Sequence, residues 1–461
     1  MSERDAVGNE GCSQLSFSGN PADAIVGLRD EAIIPGDRSP DNGMGPWTKA
    51  AFAVWAAAFL ILTIRLFHLA HRVTTFSCFI AAGRAWRHGE PIYTNHSGMG
   101  FVYSPLWAAY FAIYSYFPMR IGEIVWLLSN IILLLAGTYA VMRDGVYRIA
   151  SDRGRALVLI LLLPLSLASL DVAQSNSALI GLLLIATAMA MQERWTLCVI
   201  AICIASYLKI YPLVLGLVLC LYQPRKVTFR LALGLLLFGV VSLILQNPHY
   251  VLAQYREWIV TRGADDRRLN SAAHAPLDLW FLLVRLWHLP VSERAYSVLQ
   301  ILTGSGIAGF CLCSKRWPAG RRLAGIFLLC SGWMVLLGPA TEGYTYAILA
   351  PAISLGCISA FQGRTAASPQ WLVGSSTALL LSAQIRSSFF ASWHNIPFDG
   401  ARPTAALLFV GFAIFWLRED ARLPNEAPAC PDAGRSFGRV LDHVTDGPGV
   451  RRPEEETGTT G

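Results

Sequence analysis

The sequence is poor in charge. Only 15% of its 461 residues are Asp, Glu, Lys or Arg, while 54% are hydrophobic. Soluble domains carry roughly 25% charged residues, so a soluble globular protein is excluded. No Walker-type glycine loop and no G-x-S-x-G is present, which leaves ATP-driven chemistry within the chain without support. The histidines His71, His96, His249, His274 and His394 lack a ligand spacing such as H-x-x-x-H. Among the ten cysteines, Cys311 and Cys313 form only C-x-C, a weak metal pattern. No metal and no cofactor is expected. No N-terminal signal peptide is expected: the first apolar run begins near Trp47, after an acidic, Gly/Asp-rich stretch.

What the chain has instead is a succession of apolar runs. Ala50–Phe67, Ile124–Met142, Ala156–Leu170, Leu231–Leu245 and Leu323–Leu337, the shorter ones taken with their flanks, reach or approach the roughly 18 residues of a membrane span. Lipid offers the backbone no hydrogen-bond partner, so spans must be helices or a closed barrel. The runs are continuous rather than alternating, which selects helices. The expected fold class is all-α, a polytopic membrane domain over 47–418. The flanking segments 1–46 and 419–461 are expected to be disordered cytoplasmic tails. Cys198, Cys203, Cys220 and Cys330 lie inside apolar runs and read as small core residues.

The net charge of +7 is not a nucleic-acid signal, because the basic residues sit in short clusters between apolar runs. These are Arg143/Arg148/Arg153/Arg155, Arg225/Lys226/Arg230, Lys315/Arg316/Arg321/Arg322 and Arg364. The positive-inside rule puts all of them in the cytoplasm, so neighbouring clusters must be joined by an even number of crossings. Arg155 to Arg225 then holds four short spans, with outer turns at Asp171–Asn176 and Lys209–Tyr211. One long kinked helix competes for the last two. A long polar loop follows Leu231–Leu245; its Leu277–Trp287 segment, interrupted by Arg285, is expected to lie in the interface. Further outer turns are expected at Gly338–Tyr344 and Arg386–Arg402. Ser104–Phe117 is apolar and aromatic but only 14 residues long, which favours an in-plane helix. The total is about twelve spans in the inner membrane, with both termini cytoplasmic and no clear internal repeat.

This topology gathers polar residues on the outer face, where ionisable groups beside spans are usually functional. Phe76–Arg87 reads as an amphipathic helix ended by Gly89, either an anchor or a lid for a lipid-linked substrate. Asp171 and Gln174 are placed to grip hydroxyls; Ser175 and Asn176 do the same or cap the next helix. Lys209 either snorkels or binds an anion such as a phosphate. Glu342 either caps a helix or acts as a general base. The turns carrying Asp171, Lys209 and Glu342 are expected to share one pocket.

The runs AAGRAWRHGEPIY, FVYSPLW, AQSN, LKIYP, an Asn-Ser pair at Asn270–Ser271 and a GP at Gly338–Pro339 follow one another in that order. This order resembles the membrane glycosyltransferases of family 87, which include polyprenol-phosphate-mannose-dependent α-mannosyltransferases. The resemblance spans approximately Ala50 to Arg418. It implies a GT-C-like fold with in-plane amphipathic helices in the first outer loop and an outer-face site. It also implies a polyprenyl-phosphate hexose donor, mannose-like, and a lipid or glycan acceptor. Lys209 would then meet the donor phosphate, with Gln174, Asn176, Tyr103, Asn270, Glu90 and Tyr93 around the substrate. The family's usual acid before the first-loop helix is replaced here by Thr75, and no Asp or Glu lies between Trp47 and Gly89. Asp171, Glu342 or Glu90 must then supply any base; Asp171 and Glu342 are the catalytic candidates. Alternatives to transfer are a lipid-sugar transporter, which should show midplane polar groups and repeats, and a catalytically inactive family member.

Overall fold

The computed structural model describes residues 44–68, 74–94, 100–147, 149, 151–264, 268, 275–338, 341–362, 366–389 and 399–420. Most of both expected tails, together with Arg148 and Arg364, lies outside them. Among the described residues the chain is helical and has no strand. The helices are α1 Pro46–His68, α2 Thr75–His88, α3 Pro105–Tyr114, α4 Met119–Arg143, α5 Asp152–Asp171, α6 Asn176–Met191, α7 Trp195–Leu208 and α8 Leu213–Tyr222. They continue as α9 Pro224–Leu245, α10 Pro248–Ala264, α11 Glu293–Cys313, α12 Ala319–Leu336, α13 Ala350–Gln362, α14 Ala367–Phe389 and α15 Ala401–Asp420.

Seven of these, α1, α4, α5, α9, α11, α12 and α15, are long and apolar enough to cross a bilayer. The shorter apolar helices α6, α7, α8 and α13 pack among them. Every segment expected to span is a helix. Large apolar side chains such as Ile244 (80% exposed) and Ile301 (68%) point outward, as lipid-facing residues do and water-facing ones do not. The chain is an integral multi-pass membrane protein. Without a hydrophobic drive between helices in lipid, close backbone approach holds them together. The α4–α6 contact shows this: a Cβ on Gly181 would collide with the Leu133 backbone, and one on Gly137 with the Gly181 carbonyl.

The long helices run between two ends of the bundle, α5 and α9 in the same direction because three shorter helices lie between them. At one end, Gln192 donates to Asp144 at 2.5 Å, Lys226 pairs with Glu193 at 2.8 Å, and the Arg322 guanidinium lies 4.1 Å from the Tyr222 ring centroid. The described basic clusters therefore share this end. The opposite end carries Arg65, Asp171, Asn176, Lys209 and Glu342.

Local sequence explains the breaks. Lys209 is extended (φ −147°, ψ 145°) between α7 and α8; Pro212 cannot donate to the Leu208 carbonyl as a continuing helix would require, and it disfavours helical backbone at Tyr211. The competing long kinked helix is thereby ruled out. α2 stops at Gly89, whose φ of 70° closes the helix with donation to the Trp86 carbonyl. α3 is a short helix packed on α2; Gly83 permits this, since a Cβ there would sit 2.5 Å from the Phe111 backbone. The long polar loop differs from expectation in containing α10, a 17-residue helix. Its Leu277–Trp287 portion forms a π-helical turn, Phe281–Leu286, with Phe281 and Leu282 buried.

Candidate functional site

The end opposite the basic clusters holds two polar groups, divided by the turn between α5 and α6. Ala173 takes φ 54° in this turn. Its carbonyl accepts from Trp126 Nε1 at 3.0 Å, and the Val172 carbonyl accepts from the Thr75 amide at 3.1 Å. A strained residue fixed from both sides sets where the flanking side chains point.

The first group is built around Lys209. Its ammonium donates to Asn176 Oδ1 at 2.7 Å and lies 5.9 and 5.7 Å from the ring centroids of Tyr103 and Tyr211, within cation–π range. Asn176 donates onward to the Tyr344 carbonyl at 3.0 Å. Tyr103 donates to Gln174 Oε1 at 3.3 Å and accepts from Ser175 Oγ at 3.5 Å. Tyr93 donates to the Tyr103 carbonyl at 2.7 Å and so positions its backbone. Burial pushes the Tyr103 and Tyr211 hydroxyls well above their ordinary range; Glu342 adds to that rise and Arg262 opposes it. Both charges therefore lie within electrostatic reach of these tyrosines. Neutral tyrosine hydroxyls at any physiological pH act as hydrogen-bond donors here, not as bases.

Glu342 is exposed and caps the turn Gly343–Ile348: its side chain accepts from the Thr345 amide, while Thr345 Oγ1 accepts from the Glu342 amide at 3.1 Å. Capping fixes the carboxylate at the rim. The turn is tied to the 277 loop through Leu277, whose amide donates to the Thr341 carbonyl at 2.7 Å.

The second group surrounds Asp171. Its carboxylate lies 3.3 Å from Arg65 and is only 5% exposed. It lines a cavity with Leu62, Leu66, Met119, Arg120, Glu123, Leu127, Leu170 and Ala173. Glu123, 4% exposed, accepts from Thr74 Oγ1 at 2.5 Å.

The sequence-derived residues thus divide. Gln174, Asn176, Lys209, Tyr103 and Tyr93 come together, with Glu342 near them. Asp171 points into a cavity whose walls contain neither Lys209 nor Glu342, so the expected pocket shared by all three is not formed. The direction reverses within five residues because the turn at Ala173 separates the two faces. Glu90 is exposed beyond α2, its carbonyl accepting from Tyr250 at 2.7 Å. Asn270, with Ser271 and His71, His96, His274 and His394, lies outside the described residues. Neither Ser175 nor Asn176 caps α6 with its side chain; Asn176 serves Lys209 instead. Thr75 offers its backbone to the turn, and a carboxylate does reach this neighbourhood, from Glu123 on α4. Sequence reasoning missed Arg262, Arg65, Arg120 and Glu123. The last stands inside an apolar run, a signal that was there to read. Among the described residues no group of His, Cys, Asp and Glu has metal-binding geometry.

The fold defines a multi-span membrane protein whose polar side chains gather at one end of the helix bundle. The glycosyltransferase family 87 model matches residues 101–339, and the chain belongs to that family. It is a membrane glycosyltransferase, and its all-helical, multi-span architecture agrees with the GT-C class implied by its motifs. No curated protein matches the chain. Among solved structures, ArnT from Cupriavidus metallidurans in the apo state is 12% identical, with 80% of this chain and 77% of that chain covered and a TM-score of 0.33. The same protein bound to undecaprenyl phosphate is 13% identical, with 79% and 76% covered and a TM-score of 0.32.

Proposed function

We propose that the protein transfers a hexose, mannose-like, from a polyprenyl-phosphate donor to a lipid or glycan acceptor on the outer face of the inner membrane. The observation that carries this reading is Lys209. It is a half-buried ammonium at a helix break, oriented by Asn176 and walled by Tyr103 and Tyr211, with Arg262 within electrostatic reach of the same tyrosines. Two cations at the membrane end of an apolar bundle suit a phosphate whose lipid tail stays in the bilayer.

Transfer needs little more. The acceptor oxygen attacks the anomeric carbon, the bond from that carbon to phosphate oxygen breaks, and the departing phosphate takes the electron pair. Lys209 and Arg262 stabilise that developing charge. Glu342, fixed at the rim by its cap, takes the acceptor proton; Asp171 serves the acceptor side from the adjoining cavity. A single displacement inverts the anomeric configuration.

The test uses purified protein in nanodiscs with labelled polyprenyl-phosphate mannose and membrane-lipid acceptors. Transfer in the parent, lost by at least 100-fold in Glu342→Gln and in Asp171→Asn, supports the reading. No transfer from any polyprenyl-phosphate hexose, with both variants matching the parent in cells, rejects it.

A further inference from the structure

α10 is a polar helix among apolar ones, and one of its faces is bonded to the first outer loop. Gln246, at the α9–α10 junction, donates to the Trp86 carbonyl at 2.9 Å. Tyr250 donates to the Glu90 carbonyl at 2.7 Å, Gln254 Oε1 accepts from the Ile92 amide at 3.0 Å, and Trp258 Nε1 donates to the Val102 carbonyl at 3.2 Å. These side chains recur at every fourth residue, a step of roughly 6 Å along a helix, and they meet the loop in chain order. Each partner is a main-chain group. Loop backbone beside a bilayer needs such partners, because lipid offers none. The opposite face of α10 is bare, with Leu252 58% and Ile259 66% exposed.

The last two contacts adjoin the Lys209 group. Ile92 precedes Tyr93, whose hydroxyl donates to the Tyr103 carbonyl, and Val102 precedes Tyr103 itself. Gln254, itself buried, and Trp258 thus pin the chain at Ile92 and at Val102, next to the two tyrosines that join these places. Tyr103 then presents its ring to the Lys209 ammonium and its hydroxyl to Gln174. We propose that Gln254 and Trp258 are positioning residues that act through Tyr103, with α10 as a strap that sets the tyrosine wall beside Lys209. The transfer reading enters only in the identity of the anion held against that wall, a lipid phosphate; the strap itself belongs to the free protein.

The test uses the full chain in nanodiscs and three variants. Gln254→Met keeps the length and loses the acceptor, Gln254→Glu keeps the acceptor, and Trp258→Phe keeps a ring and loses the N–H. Hydrogen exchange of peptides covering 100–104 is followed without ligand. Octyl phosphate binding is measured with partition into empty nanodiscs subtracted. Exchange should rise roughly 5-fold or more in Gln254→Met and Trp258→Phe and return towards the parent in Gln254→Glu. Octyl phosphate should bind about 10-fold more weakly in the two loss variants, the scale of one lost hydrogen bond. In a Tyr103→Leu background, Trp258→Phe should weaken binding no further, because its route to the site is gone. A merely structural role would add its own loss there. Parental exchange in both loss variants, parental affinity in both, or full additivity with Tyr103→Leu overturns the proposal. Absence of octyl phosphate binding in the parent, with the exchange changes present, would sink the phosphate reading and leave the strap standing. Binding lost in Lys209→Met but untouched in both strap variants would do the reverse.

Discussion

Lys209 and Asn176 stand 33 positions apart, yet the lysine ammonium donates to the asparagine carbonyl oxygen at 2.7 Å, joining the α7–α8 break to the start of α6. The break frees the lysine from a helical face, and the asparagine aims it between two tyrosine rings. The proposed phosphate contact uses both.

Lys209→Met should lower transfer from polyprenyl-phosphate mannose by at least 100-fold, the scale of losing one charged group that stabilises a leaving oxyanion. Asn176→Ala should cost about 10-fold, since the charge remains and only its aim is lost. Thermal unfolding of both variants close to the parent would assign the loss to chemistry. Parental transfer in Lys209→Met would remove the lysine from the site.

Asp171 is nearly buried beside Arg65, which is 34% exposed on its side chain. Removing the guanidinium leaves a buried carboxylate short of one cation, a cost of about 1–3 kcal/mol once solvent access is allowed for. Arg65→Met should therefore lower the thermal midpoint. The double variant Arg65→Met/Asp171→Asn should be more stable than Arg65→Met alone, because the residual charge is gone. Additive losses in this cycle would show that the pair does not interact.

Burial pushes the Asp278 carboxyl up to about 7, although the Phe281 and Trp280 amides and the Tyr296 hydroxyl hold it back. Its folded value lies above its ordinary one, so the folded chain binds this proton more tightly. The resulting stability is full in acid and is lost as pH rises through about 7. The midpoint should thus fall between pH 5.5 and 8, and Asp278→Asn should flatten that slope. An unchanged slope in the variant would show that Asp278 is not the titrating group.

Glu342 and Glu193 are both exposed, at opposite ends of the bundle. With native cysteines replaced, Glu342→Cys should react with an impermeant maleimide added outside intact cells. Glu193→Cys should react only after permeabilisation. Labelling of both from the same side would invalidate the placement of the two residues at opposite ends of the bundle, and reversed labelling would put the site on the cytoplasmic face.

The sequence by itself determined the apolar helices and their order, though not the polar helix α10, because continuous apolar runs in a low-charge chain have few other solutions in lipid. It also determined the end of α2 at Gly89, since a left-handed residue was needed there, but left two short helices and one kinked helix as alternatives around Lys209. It placed Tyr103, Gln174, Asn176 and Lys209 at one end of the bundle through the positions of the basic clusters. Only the tertiary structure decided which of these side chains meet. The turn at Ala173 sends Asp171 to one side and Asn176 to the other, a choice made by Trp126 and Thr75 from distant segments. The same is true of Glu123, Arg65 and Arg120, drawn together from different helices. Linear spacing carries no record of such contacts, because helix packing, not chain neighbourhood, brings their charges into one cavity.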